Sequence, residues 1–175
     1  MSKFYITQPK LVKQTGMTCW AAAMESWLAS QPGSPVAWYM KEEKQIVEEI
    51  RRWSGLEEGL GNKPLIHSNG GLTKEGSIWV LENAGLAGKG FTEPKLITGR
   101  FIESKLKEFG HLYILRVWSG GMSHAVIGYG IEDPESSTAC KIAVMDPRPT
   151  HGYIMLDLSN LQSDEDAFIG WLKKS

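Results

Sequence analysis

"QTGMTCWAAAMESWLA", residues 14–29, sets a lone cysteine directly after a turn and at the head of a helix. Gly16 permits a tight turn, and Thr18 suits the N-cap. Trp20, Ala23, Met24 and Trp27 then recur at helical spacing, which predicts a helix over 19–29. The run "AAA" at 21–23 lets that helix approach a sheet closely. Cys19 therefore has two readings. Cysteine is small and apolar enough to fill a core gap. A helix start is also where a thiol most readily becomes a thiolate, because the terminus directs partial positive charge at the sulfur.

Outward from this stretch the chain changes character once. "KEEKQIVEEIRRW" (41–53) has Ile46, Val47, Ile50 and Trp53 at helical spacing. The Gly-rich segment 54–76 is long for a connection and is expected to form a cleft wall or lid. Segments 76–85 and 99–110 read as two more helices, each closed by a glycine. The second half reads as strands: 111–118, 123–130, 139–146 and 152–158, rich in Val, Ile and Tyr and bounded by Gly, Pro, Asp and Ser. A last helix is expected over 164–173, carrying Phe168, Ile169, Trp171 and Leu172. Helices first and strands second predict an α+β fold, with an antiparallel sheet packed on the first helix. No repeat or linker divides the chain, so residues 1–175 are expected to form one domain.

Bulk properties narrow the function classes. The chain has 175 residues, 42% hydrophobic and 22% charged, with a net charge of −1. That is an ordinary globular composition with no electrostatic pull toward nucleic acid or a membrane surface. No apolar run is long enough to span a bilayer, and the N-terminus has no stretch resembling a signal peptide. Seven tryptophans are many for this length; they suit either a cleft or a Trp-rich core. Two cysteines, Cys19 and Cys140, allow one disulfide at most, which fits a reducing compartment or delivery without a cleaved signal.

If Cys19 is a nucleophile, a base and an orienting group are needed. Of four histidines, His67 lies in the long loop, His111 opens a strand, and His151 follows a turn. His124 follows the small residues "SGGMS", which leave room for a substrate chain, and precedes an apolar strand that would fix the ring. A hairpin centred on Glu135 would pair His124 with Asp146, Val126 with Val144 and Gly128 with Ile142. Directly opposed residues lie about 5 Å apart at Cβ, so Asp146 would reach the imidazole. Asp146 also begins the turn "DPRP", a sufficient structural reason for an aspartate. Cys140, with no helix terminus beside it, reads as packing. Gln14 is the upstream amide that could join the Cys19 N–H in holding an oxyanion.

These residues resemble the papain-like cysteine peptidases. "Q14…C19-W20-A21", "H124-A-V-I-G-Y-G" and "V144-M-D146-P" follow the family order, and the likeness extends over nearly the whole chain. The nearest branch is bacterial: leader-cleaving peptidases of double-glycine bacteriocin precursors, and injected cysteine peptidase effectors. The resemblance implies that Cys19 is the nucleophile, His124 the base, Asp146 the orienter and Gln14 the oxyanion-hole residue. The family glutamine more often stands six positions before the cysteine, where this chain has Lys13. Resemblance to the leader peptidases also implies a narrow cleft selecting Gly-Gly. Trp20, Gly121, Met122 and Ser123 are the expected substrate-binding residues, with Trp118 nearby.

The expected reaction is cleavage of a protein or peptide substrate by acyl transfer. No metal-ligand spacing, P-loop or dinucleotide fingerprint is present, so no cofactor is expected. The expected setting is a toxin or effector, cytoplasmic in its producer or delivered into a target cell, with a cognate immunity protein as a further partner. A deamidase, transglutaminase or amidase on the same fold would use the same three residues. A binding module with an unreactive cysteine, or an immunity or adaptor protein, are the readings outside enzymology.

Overall fold

The computed structural model describes residues 2–30, 42–56, 71–73, 76, 86–91, 93–120 and 122–172. The first half holds β1 (Lys3–Tyr5), α1 (Cys19–Ala29), α2 (Glu43–Leu56) and β2 (Leu86–Phe91). A 3₁₀ turn (Pro94–Leu96) leads into α3 (Gly99–Phe109). The second half holds β3 (Leu112–Val117), β4 (Ser123–Glu132), β5 (Lys141–Asp146), β6 (Gly152–Asp157), α4 (Leu158–Gln162) and β7 (Asp166–Leu172). The seven strands form one antiparallel sheet in the order β2-β7-β3-β4-β5-β6. β1 pairs with the far end of β4, beyond the residues that β3 covers. The expected α+β class is the class found.

Helices cover both faces of the sheet. On one side Trp20, Ala21, Ala23, Met24 and Trp27 of α1 and Ile46 and Val47 of α2 share a core with Tyr113, Leu115, Ala125, Ile127 and Phe168. On the other, Ile102 and Leu106 of α3 and Leu158 and Leu161 of α4 share a second core with Ile114, Val126, Val144 and Ile169. α1, apolar all round except at Glu25 and Ser26, is buried on nearly every side. Ala21, Ala22 and Ala23 have no solvent exposure, in keeping with the close approach their size allows.

Burial on both faces explains the main departure from the expected elements. Residues 166–172 form a strand, not a helix, between β2 and β3. Ala167 to Gly170 are all buried, so the segment is a continuous apolar run without period-two alternation. Positions 168, 169, 171 and 172 then mimic a helical face. β2 carries the glycines of "LAGKGF" and gives no strand signal. Gly88 has a packing reason, since a Cβ there would run into the Phe168 ring. The expected helix over 76–85 and most of the loop 54–76 lie outside the described residues.

The hairpin of β4 and β5 forms with a different register from the expected one. Glu132 pairs with Lys141, Ile131 with Ile142 and Gly130 with Ala143; then a bulge at Tyr129 resets the ladder, so that Gly128 pairs with Val144 and Ile127 with Met145. Extended one step, this register sets Asp146 beside Val126, two residues from His124. Without the bulge, Asp146 would fall opposite Ile127, on the face away from His124. The extra residue thus returns Asp146 to the side of the sheet that His124 occupies.

α3 starts on a Thr98 hydroxyl that accepts the Phe101 N–H at 3.1 Å, and ends at Gly110, whose φ of 82° suits glycine. Its first residue, Gly99, lies against the Asp133–Cys140 turn: a Cβ there would stand 2.7 Å from Pro134 Cα and 2.8 Å from Cys140 Sγ. Gly99→Ala should cost about 1–3 kcal/mol by overpacking, a fall in Tm of roughly 2–12 °C for a chain of this size. Gly90→Ala, whose Cβ would meet Phe168 at an ordinary 3.8 Å, should shift stability by less than about 1 kcal/mol. Thermal unfolding of both variants checks the pair; equal Tm values would contradict the packing described.

Candidate active site

Cys19 is the first residue of α1 and is 8% exposed. The turn before it is built as expected at Gly16, whose φ is 74°. Thr18 occupies the N-cap, but its hydroxyl does not cap the helix. It donates instead to the Thr15 carbonyl at 2.7 Å and meets the Glu43 carboxylate. Glu43 also accepts the Thr15 N–H at 3.0 Å and the Thr15 hydroxyl at 3.1 Å. A buried acid on α2 therefore gathers the donors of the turn that presents Cys19. Its own N–H is held by Glu25, whose other oxygen takes Lys10 Nζ at 2.7 Å.

The start of β4 lies beside this helix terminus. Cys19 Sγ is 4.0 Å from the carbonyl of Ser123, the residue before His124, and the Cys19 side chain favours the protonated imidazole. His124 Nε2 is 2.9 Å from Asp146 Oδ1. Since Nε2 is engaged there, Nδ1 is the nitrogen left for the thiol. The structure brings Cys19, His124 and Asp146 together despite the register shift, because diagonal neighbours on one sheet face remain within reach of a ring. The Trp118 ring stacks on the imidazole, 6.2 Å between centroids and 15° between planes.

Electrostatics follow from burial and partners. Burial pulls the His124 imidazole down, but the hydrogen bonds and charges of Asp146 and Cys19 outweigh it and leave the group above its ordinary value. Asp146 is only 1% exposed. Burial pushes its carboxyl up, yet the His124 hydrogen bond and the side-chain and backbone hydrogen bonds of Arg148 hold it well below the usual carboxylate range. Cys140 is different: burial, helped by the Asp133 charge, pushes its thiol up to about 11, and it sits in the second core. Both cysteines are free thiols.

The other expected site residues fall in different places. Gln14 is tied by its N–H to the Pro147 carbonyl at 2.8 Å, which links the Cys19 turn to the turn after Asp146. Its Nε2 donates to the Gly16 carbonyl at 2.6 Å, and its Oε1 is buried without a partner. Trp20 is a correction. It is 1% exposed and belongs to the core beneath α1, so it presents no ring to a substrate. Met122 is 62% exposed, and its carbonyl accepts the Trp118 N–H at 2.8 Å. Ser123 donates its hydroxyl to the Leu72 carbonyl at 3.2 Å. Gly121 and His67 lie outside the described residues. Of the remaining histidines, His111 is buried against the Thr7 carbonyl at 2.7 Å and His151 is exposed.

Two contributors escaped sequence reasoning. Arg148 was visible only as the arginine of "DPRP", two residues after Asp146. Glu43 gave no signal at all, since nothing in a sequence joins an α2 acid to Thr15 and Thr18. Among the described residues, no three His, Cys, Asp or Glu side chains gather as metal ligands.

Comparison with known proteins bears on this arrangement. A family model described as the papain-like cysteine protease AvrRpt2 matches residues 4–163. The peptidase domain of Streptococcus ComA, a bi-functional ABC transporter of a quorum-sensing pathway, is similar in structure at 18% identity, with a TM-score of 0.54 over 95% of this chain and 100% of that one. A double glycine motif protease from an AMS/PCAT transporter, in complex with its leader peptide, aligns at 16% identity and a TM-score of 0.50, over 97% of this chain and 94% of that one. UfSP from C. elegans aligns at 11% identity and a TM-score of 0.59, over 99% of this chain and 35% of that one. No curated protein matches the chain significantly. The family match spans the Cys19 helix and the β4–β5 hairpin alike: the chain belongs to the bacterial papain-like cysteine proteases of the AvrRpt2 family.

Proposed function

We propose that Cys19, His124 and Asp146 are the working residues of this cysteine peptidase, with residues 1–175 acting as one catalytic domain. The observation that carries the reading is the buried His124–Asp146 hydrogen bond of 2.9 Å, set beside the helix start where Cys19 Sγ lies 4.0 Å from the Ser123 carbonyl. The proton of the Cys19 thiol passes to His124 Nδ1 while Asp146 holds Nε2–H. The sulfur attacks the substrate carbonyl, forming a C–S bond and an oxyanion. The N–H of Cys19, at a helix start with no intrahelical acceptor, is one donor to that oxyanion. Gln14 supplies the second, through the Nε2 proton it does not give to Gly16. As the C–N bond breaks, His124 returns its proton to the leaving amine. Water, deprotonated by His124, then releases the acyl group as a carboxylic acid and restores the thiol.

The substrate is a protein or peptide cut after Gly-Gly. The double glycine motif protease, solved with its leader peptide, supports this by its similar fold. Trp118 stacks on His124, and the exposed Met122 precedes Ser123, whose carbonyl is 4.0 Å from Cys19 Sγ. With Trp20 in the core, Gly121, Met122 and Ser123 remain the substrate-binding residues. The biological role is that of a bacterial effector or toxin, held in check by an immunity protein seated in the cleft. No helix among the described residues is long and apolar enough to cross a membrane.

Incubation of the protein with a cell lysate, followed by N-terminal labelling, should reveal new chain ends. Cys19→Ala should remove essentially all of them, and Cys140→Ala should leave them largely intact. Equal loss in both variants would overturn the assignment of Cys19, and release of ammonia without new ends would replace the peptidase with a deamidase. On matched peptides ending in Gly-Gly, Ala-Gly, Gly-Ala or Leu-Arg before the cut, each added methyl should lower kcat/KM by about 10- to 200-fold. Comparable rates on Gly-Gly and Leu-Arg would remove the narrow cleft.

A further inference from the structure

Asp146 is held by more than His124. The Arg148 backbone N–H donates to Asp146 Oδ1 at 2.9 Å. The guanidinium lies side-on to the carboxylate, with Nε 3.1 Å from Oδ1 and 3.0 Å from Oδ2, and Nη2 2.6 Å from Oδ2. His124 thus uses one edge of Oδ1, and among the described residues the other hydrogen bonds to this buried carboxylate come from Arg148. The arginine is itself placed by the segment before Cys19: Lys13 Nζ donates to its carbonyl at 3.2 Å, next to the Gln14–Pro147 bond.

We propose that Arg148 is a positioning residue for the reaction at Cys19: its planar fork fixes the rotation of the Asp146 carboxylate so that one oxygen faces His124, and its charge limits how tightly the imidazole keeps a proton. The inference rests on the reading of Cys19, His124 and Asp146 given above. Two physical requirements support it. A carboxylate removed from water needs partners for both oxygens, and His124 can serve only one. An imidazole facing an undivided, desolvated carboxylate would hold its proton too strongly to return it to a leaving amine, since a catalytic group works best when its proton affinity suits the operating pH. Arginine meets both needs where lysine meets one, because only the guanidinium offers a rigid two-pronged donor.

Among the described residues, the titratable and charged groups around His124 come from four places. They are Cys19 on α1, Asp146 on β5, Arg148 on the turn after β5, and Arg116 on β3. Arg116 stands directly across from His124 in the ladder. Its guanidinium is committed to Asp164, with Nε at 2.7 Å and Nη2 at 2.9 Å, so its charge is matched locally. Arg148 is the cation that shares its acid with the imidazole.

The test is an NMR titration of the His124 ring in the full chain, made in a Cys19→Ala background so that thiol and imidazole do not titrate together. Arg148→Gln should raise the His124 midpoint by on the order of one pH unit, because a positive charge opposing the imidazolium is gone. Arg148→Lys keeps the charge and should move the midpoint by less than about 0.3 units. In the chain with Cys19 intact, Arg148→Lys should still lower kcat by about tenfold or more with KM little changed, because a point charge does not orient the carboxylate. An unchanged midpoint in folded Arg148→Gln would overturn the proposal. Full kcat in Arg148→Lys would overturn it as well, and that arm decides even if the glutamine variant does not fold. Turnover retained by Cys19→Ala would sink the triad reading instead; the NMR midpoint needs no turnover, so the two failures stay distinct.

Discussion

The burial of α1 between the sheet and α2 is the constraint on which the site depends. A helix whose Ala21, Ala22 and Ala23 are wholly enclosed can sit only one way against β3 and β4. Trp20 and Trp27 lock its rotation, and removing such a ring from a core costs about 3–5 kcal/mol. With the axis fixed, the position of Cys19 is fixed, beside the first residues of β4. The thiol gains a defined place from packing that involves no reactive group.

The polar part of the site is then tied to that frame at several points. Glu43 gathers Thr15 and Thr18, which sets the turn feeding α1. Gln14 and Lys13 fasten the same segment to Pro147 and Arg148, so the turn before the thiol is joined to the turn after Asp146. Between them, the bulge at Tyr129 decides which face of β5 carries Asp146. Each tie is a hydrogen bond of modest net worth, about 1 kcal/mol, but a buried partner left alone would cost more. The arrangement is over-determined, as a site that must hold three groups in register requires.

Much of this was legible in the chain. The limits of α1 followed from apolar spacing and a turn, because a fully buried helix announces itself by composition. His124 and Asp146 were found through a hairpin, and the pairing on which that argument stood was displaced by two residues. The contact survived because the displacement near the site is even, and an even shift leaves side chains on the same face. The bulge that makes it even has no sequence signature in "IGYGIED". β7 resembles a helix in sequence because an interior strand covered on both faces loses the alternation that marks a strand. Trp20, read as a cleft residue from its place beside Cys19, belongs to the core, since neighbours along a helix point about 100° apart. Glu43 and Arg148 act across distances in sequence that no local pattern spans.

Catalysis as proposed requires Cys19 to be the thiol that His124 activates. The most direct measurement is the rate of alkylation by iodoacetamide across pH, with the modified peptide identified by mass spectrometry. The structure predicts fast labelling of Cys19 near neutral pH, negligible labelling of Cys140, and a large fall in the Cys19 rate at neutral pH in His124→Ala. Labelling of Cys19 at the same rate with and without His124, or preferential labelling of Cys140, would contradict it.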